Sequence, residues 1–323
     1  MRVVAALLAA AVAFALAACG DDGAEPGAPK SATLMLDFQP NAVHAGIYSA
    51  LRRGLYEAES VELDVREPSA STDAPKLLGA GRAEFAIMDI HDLGIAREQG
   101  AEVVGVAAIV GRPLAAVIAA DRDVVRRPRD LEGQQAGVTG LPSDDAVLDS
   151  VVASDGGDPD AVDRVTIGFE AVSALSAGRL DAATAFWNAE GVTLRRLDIP
   201  TREFRVDDHG APRYPELVLT TTDELVRDDP ELIGAVVAAT VRGYEIAARD
   251  PRGSLDDLVA EARGTETAAQ RAQLRALLAA GAFRDPGRLE LRTLAAWSRW
   301  DARNGILERP LDPRDAFDTR WVD

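Results

Sequence analysis

From about residue 31 to residue 222, short apolar runs take turns with stretches whose apolar residues recur at helical spacing, and this alternation narrows the folds open to the chain. Runs at 32–38, 61–67, 83–89 and 103–110 read as strands. Helical patterns lie between them at 44–58, ending near Gly54, and at 74–81. A second series follows the apolar segment 114–120, with strands at 134–140, 162–168 and 183–187 and helices at 142–154 and 171–178. Strands alternating with helices predict parallel sheets covered by helices, an α/β architecture. A further strand begins near Pro215, and three long helical patterns follow at 230–249, 268–282 and 291–304. The changes of character near Ala120 and Pro215 divide the chain into two α/β units. No internal repeat is visible.

The N-terminus tells where such a chain works. Arg2 precedes an apolar stretch, Val3 to Ala18, which ends in Leu16-Ala17-Ala18-Cys19. A positive start, a short apolar run and small residues before a cut site describe a secretory signal, and the run is too short for a comfortable membrane span. With cysteine just after the cut, the segment resembles a bacterial lipoprotein lipobox. The resemblance implies cleavage before Cys19, lipidation of its thiol and tethering to the outer face of a cell membrane. An ordinary signal peptide with an incidental cysteine is the alternative. Residues 19–30, rich in Gly, Pro and charge, read as a flexible tether.

Charge and cysteine content exclude several classes of function. A net charge of −18 argues against nucleic acid, whose phosphates require a basic surface, and against docking on anionic lipid through a basic face. Cys19 is the only cysteine, so no disulfide, thiolate nucleophile or cysteine metal site is expected. The histidines are His44, His91 and His209. No nucleophile–base pair or Gly-rich phosphate loop is evident.

The strongest functional signal is the segment 36–63. An apolar strand ends in Asp37-Phe38-Gln39-Pro40-Asn41, and a helix starts a few residues later at His44. Ligands of open α/β sheets lie outside the carboxyl ends of strands, beside helix N-termini. Phe38 offers a flat apolar face, and Asp37, Gln39, Asn41 and His44 offer polar edges. Three more stations follow in order: Gly81 to Ile87, Pro128 to Gly133, and Phe186-Trp187-Asn188-Ala189-Glu190-Gly191.

Taken together, these four stations resemble the solute-binding proteins of ABC importers in the family of thiamine-pyrimidine precursor binders, whose relatives include the hydroxymethylpyrimidine synthases. Phe38 stands where that family often has tryptophan. The resemblance, over about 33–245, implies a two-lobed fold of the second periplasmic-binding-protein type, with a ligand cleft and two crossovers. One lobe would hold 31–120 plus 215–323 and the other 121–214, closing by hinge motion. It also implies a small heteroaromatic solute, ABC permease and ATPase partners, and a monomer without cofactor.

The expected ligand residues are Asp37, Phe38, Asn41, His44, Asp89, Ser143, Trp187, Asn188 and Glu190. Asn188 and Glu190 follow a strand end and suit the polar edge of an aminopyrimidine or flavin, while an aromatic such as Trp187 stacks on its ring; a solvated loop and a core tryptophan are the alternative. His44 lines the cleft or serves as a capping or core residue. Asp89, at the end of a buried strand beside His91, binds ligand or caps a helix. Ser143, at a helix start after Pro142, offers an N-terminal hydrogen-bonding site or a plain cap. Arg112 and Tyr214, near the crossovers, read as structural, as do Trp297 and Trp300.

Two classes of function compete. A binder needs no reactive group. The synthase relatives convert a pyridoxal-type substrate with iron assistance, and that chemistry goes with a cysteine-rich motif and an active-site lysine. Here Cys19 lies in the leader, and neither Lys30 nor Lys76 occupies the family's catalytic context. Among binders, a hydroxymethylpyrimidine-type thiamine precursor is the first expectation and riboflavin or a related flavin the second. Alkylsulfonate, nitrate or taurine is weaker, because a carboxylate in the pocket repels an anion.

Overall fold

The structure, a computed structural model, describes residues 29–70, 73–120, 124–262, 264 and 266–322. The expected signal sequence, Cys19 and the expected tether up to residue 28 lie outside the described residues. Ten strands form two five-stranded sheets. In chain order they are β1 Lys30–Met35, β2 Val61–Arg66, β3 Phe85–Asp89, β4 Val103–Val110, β5 Ala115–Ala120, β6 Gln135–Val138, β7 Asp163–Thr166, β8 Ala182–Phe186, β9 Thr201–Arg205 and β10 Leu217–Thr222. The helices of the first half are α1 Ala45–Arg52, α2 Leu55–Ala58, α3 Asp73–Gly79, α4 Ile90–Glu98 and α5 Pro142–Ser154. Then come α6 Ala171–Ser176, α7 Glu190–Arg196, α8 Asp223–Asp228, α9 Pro230–Arg249, α10 Pro251–Glu261, α11 Thr267–Ala279, α12 Leu291–Arg303 and α13 Pro313–Ala316. Among the described residues no helix is long and apolar enough to cross a membrane.

The first sheet has the order β2-β1-β3-β10-β4 and the second β7-β6-β8-β5-β9. Both are mixed: β10 runs antiparallel to β3 and β4, and β5 antiparallel to β8 and β9. An all-parallel reading of the alternation therefore fails at the strands that return from one unit to the other. The strand at 115–120, expected in the lobe spanning 31–120, pairs in the second sheet instead. A continuous apolar run cannot say which of two sheets it joins. The first crossover accordingly falls at residues 111–114, and the second runs through 210–216 into β10.

Strands β3 and β4 of the first sheet are buried on both faces, which is why they read as apolar runs, whereas edge strand β2 alternates buried and exposed residues. Successive residues alternate between two clusters: Leu34, Phe85, Ile87, Leu217 and Leu219 pack on one side, and Met35, Ala86, Met88 and Val218 on the other. The first side is covered by α1 and α9, with Ile47, Ile233, Val236 and Val237 facing the sheet. The other is covered by α4 and α12, where Trp297 and Trp300 fill the core as expected. The α1–α9 crossing is close enough to require glycine: a Cβ on Gly243 would lie 2.1 Å from the Gly46 carbonyl oxygen.

A buried polar node joins the crossovers to the first lobe. Tyr214, on the second crossover, hydrogen-bonds His91 Nε2 at 2.9 Å, and His91 Nδ1 lies 2.8 Å from Asp301 on α12. Burial opposes a charge on His91, but Asp301, helped by Asp89 and Glu216, overcomes it and pushes the imidazole up to about 10. Glu216, wholly buried, accepts a hydrogen bond from the Leu114 amide of the first crossover at 2.7 Å, while its own amide donates to the Val110 carbonyl at 2.9 Å. One side chain thus links the two connections between the lobes.

Candidate ligand-binding site

The two sheets point the carboxyl ends of several strands at a shared cleft. β1 delivers Asp37 and Phe38, β3 ends in Asp89, β6 leads to Thr139, and β8 ends in Phe186 just before Glu190. These residues line a cavity of about 110 Å³. That is many times the room one water needs and below the roughly 300 Å³ at which pockets for drug-sized ligands begin. Phe38 of the first lobe meets Phe169 of the second edge to face, with centroids 4.3 Å apart and planes at 67°. The lobes therefore touch through two aromatic rings that both border the cavity.

Carboxyls from both lobes dominate the polar wall: Asp37, Asp89, Asp92, Asp144 and Glu190. Asp37 Oδ1 lies 2.9 Å from Nε2 of His44. His44 Nδ1 accepts the amide N–H of Asn41 at 3.2 Å, so Nε2 carries the proton and donates to Asp37. Asp89 caps α4 by accepting the His91 amide at 2.7 Å. Asp144 accepts the Thr139 amide at 2.8 Å as well as its hydroxyl, and Glu190 accepts the Phe186 amide at 3.0 Å. Burial pushes the carboxyls of Asp89, Asp92, Asp144 and Glu190 above their ordinary range, Asp92 up to about 8. Burial likewise takes Glu216, behind Asp89, up to about 7. Among the described residues no arginine or lysine lines the cavity. Among the described residues no three His, Cys, Asp or Glu side chains come together to hold a metal ion.

Of the nine residues expected at the ligand, Asp37, Phe38, Asn41, Asp89, Ser143 and Glu190 border the cavity. The amide of Asn41 is engaged in its own turn, accepting from Val43 N–H at 2.9 Å and donating to the Gln39 carbonyl at 3.1 Å. His44 is fully buried and stands behind Asp37, so it positions a carboxylate and does not border the cavity.

Trp187 and Asn188 correct the expectation. The Trp187 indole is 2% exposed, donates to the Pro113 carbonyl at 3.1 Å and packs between the guanidinium groups of Arg205 and Arg112, 4.4 Å and 5.5 Å from its ring centre. It anchors the first crossover and does not border the cavity. Residues at a strand end alternate in direction, so placing Phe186 in the cavity sends Trp187 behind it. Asn188 is also fully buried outside the cavity wall, and neither atom of its amide finds a hydrogen-bond partner among the described residues.

Sequence reasoning missed Phe169, Asp92 and Glu216. Asp92 carried a usable signal: three residues after the helix cap Asp89, it lies on the same helix face. Phe169 had only a preceding glycine, and Glu216 nothing, in an otherwise apolar strand entry.

Comparison with known proteins gives the family and the fold. The family model described as "NMT1/THI5 like" covers residues 41–254. The chain belongs to the NMT1/THI5-like family. A formylaminopyrimidine-binding protein from Halalkalibacterium halodurans is 31% identical over 246 residues, 76% of this chain and 74% of that one. A 4-amino-5-hydroxymethyl-2-methylpyrimidine phosphate synthase from Legionella pneumophila is 24% identical over 222 residues, 68% of this chain and 70% of that one. Among solved structures, the alkanesulfonate-binding protein SsuA from Xanthomonas axonopodis pv. citri superposes with a TM-score of 0.71 at 17% identity, covering 90% of this chain and 99% of that one. That likeness establishes the two-lobed α/β fold of periplasmic binding proteins.

Proposed function

We propose that this NMT1/THI5-like chain is the extracytoplasmic solute-binding component of an ABC importer and captures an aminopyrimidine precursor of thiamine, of the hydroxymethyl- or formylamino-pyrimidine type. The observation that carries the reading is the composition of the cavity wall. Five carboxyls supply hydrogen-bond partners for an exocyclic amine and ring nitrogens, and Phe38 and Phe169 supply apolar ring faces. The 31% identical relative named as a formylaminopyrimidine-binding protein supports the same class of ligand. In this reading, Cys19 carries the lipid that holds a monomeric binder at the outer face of the membrane, beside its permease.

The wall also weighs against the alternatives. Sulfonate and nitrate would enter a cleft of carboxyls that lacks any lysine or arginine, whatever the fold shares with alkanesulfonate binders. As for a synthase, neither Lys30 nor Lys76 lines the cavity, and Lys30 is paired with Asp229 at 2.6 Å.

The test is a thermal-shift titration of the purified chain against hydroxymethylpyrimidine, formylaminopyrimidine, riboflavin, taurine and nitrate. A ligand in hundredfold excess over Kd stabilises by about 2.7 kcal/mol. The expected result is a concentration-dependent shift with the pyrimidines alone. A shift with taurine or nitrate and none with pyrimidines rejects the proposal.

A further inference from the structure

Outside the cleft, the two lobes meet a second time through α11. This helix packs on α10 and on the short helical turn Ala42–His44 of the first lobe, and also on α7 of the second. Leu274 and Leu277 of α11 and Leu194 of α7 belong to one buried apolar cluster. Both neighbours of α11 stand directly behind the cavity. The helix α7 begins with Glu190, which borders it, and the turn Ala42–His44 carries the imidazole that holds Asp37.

The two ends of α11 are held differently. Its C-terminal end is fastened to the first crossover: the Gly111 amide donates to the Ala282 carbonyl at 2.8 Å, and the Arg112 guanidinium donates to the Ala280 carbonyl at 3.2 Å. Glu266, which precedes the first turn, has its two carboxylate oxygens 2.8 Å and 3.1 Å from one guanidinium nitrogen of Arg196, the last residue of α7. The 13 residues of α11 set these ends about 20 Å apart. The crossover end lies beside the connections about which the lobes turn, and the Arg196–Glu266 end lies far from them. A hinge rotation of about 15° moves a point about 20 Å from its axis by about 5 Å, which breaks the ion pair while the crossover contacts persist.

We infer that the α7–α11 seam, closed at its outer end by Arg196 and Glu266, is a latch between the lobes that favours the closed arrangement with or without a ligand. The ion pair exists only when the lobes are closed, so it stabilises that state alone. A ligand needs the same state, because Asp37, Phe38 and Asp89 reach the cavity from one lobe and Phe169 and Glu190 from the other. Apparent affinity scales with the fraction of chains in the competent arrangement. Arg196 and Glu266 stand outside the cavity wall, yet they act on every ligand the cavity accepts.

The experiment is pulsed dipolar spectroscopy on the ligand-free chain. Nitroxide labels go on Glu67→Cys, just after β2, and Thr166→Cys, at the end of β7, with Cys19→Ser confining them to those positions. Both residues are exposed at the carboxyl ends of edge strands, so their separation grows as the cleft opens. The expected result is a resolved closed population in the otherwise unaltered chain. Glu266→Gln should lower the ratio of closed to open about twofold to fivefold, the worth of an exposed ion pair. Arg196→Glu should lower it further, and Arg196→Glu combined with Glu266→Arg should restore it. The two side chains are 34% and 64% exposed, so the substitutions leave the core intact. A ligand-free chain that is wholly open, or a ratio unmoved by Glu266→Gln, overturns the latch. Failure of the exchanged pair to restore the ratio overturns the ion pair as its cause. None of these readings uses a pyrimidine, so they leave the proposed ligand to its own test.

Discussion

Trp187→Phe separates a hinge anchor from a ligand platform. The substitution keeps an aromatic ring between Arg205 and Arg112 and removes the indole N–H that binds the Pro113 carbonyl at 3.1 Å. Leaving that buried acceptor unpaired costs about 1–3 kcal/mol. The smaller ring also leaves space in a site that is 2% exposed, and incomplete filling of a core site adds about 1 kcal/mol. A loss of about 2–4 kcal/mol is therefore expected, read as a lower urea midpoint and melting temperature. Ligand affinity, measured by calorimetry on folded protein, should stay within about threefold, because Trp187 is absent from the cavity wall. Trp187→Ala should destabilise further by removing the cation–π partner of both arginines. The reasoning is refuted if Trp187→Phe lowers affinity tenfold or more, about 1.4 kcal/mol, while stability is unchanged. The indole would then be a stacking surface, and the crossover contact incidental.

Other perturbations probe the cavity and the frame around it. Phe169→Ala should reduce ligand affinity by about tenfold or more, since an aromatic face contributes about 0.5–1.5 kcal/mol beyond its buried area; titration calorimetry on the variant gives the answer, and unchanged affinity would remove Phe169 from the site. Asp301→Asn should cost about 3–5 kcal/mol at pH 7 by stripping the wholly buried His91 of its counter-charge. The His91 contribution is fully present below the unfolded-state value of 6.5 and is lost as pH rises through about 10. Urea midpoints at pH 6, 8 and 10 should accordingly show the gap between wild type and variant narrowing towards alkaline pH, and a constant gap contradicts the pairing. Gly243→Ala should destabilise by about 1–3 kcal/mol through overpacking against the Gly46 carbonyl at the α1–α9 crossing. Circular dichroism melts check this, and a neutral result would mean the helices separate freely.

Much of the architecture was legible because it follows from local pattern. A strand buried on both sides carries apolar residues on both faces, and 103–110 reads as a strand for that reason alone. Helices with a proline at their first turn, 142–154 and 230–249, were located to the residue. The strand 115–120 was assigned to the wrong unit because sheet membership depends on a partner distant in sequence, β8 and β9 in this case. Phe38, Asp89 and Glu190, which border the cavity, were expected at a site because polar or aromatic residues at the ends of apolar strands stand out. Trp187 stood out for the same reason and proved to face the other way.

Local sequence dictated that two α/β units would form and that acidic and aromatic groups would stand at the carboxyl ends of their strands. These are properties of neighbours along the chain, set by side-chain periodicity and backbone preference. Only the tertiary structure decided which of those groups meet. Phe38 and Phe169 come from different lobes, as do Asp92 and Glu190, and Glu216 ties both crossovers behind them. The physical reason is that strand ends fix a height and a face, while the opposing wall of a cleft is set by how two separately folded sheets are turned towards each other.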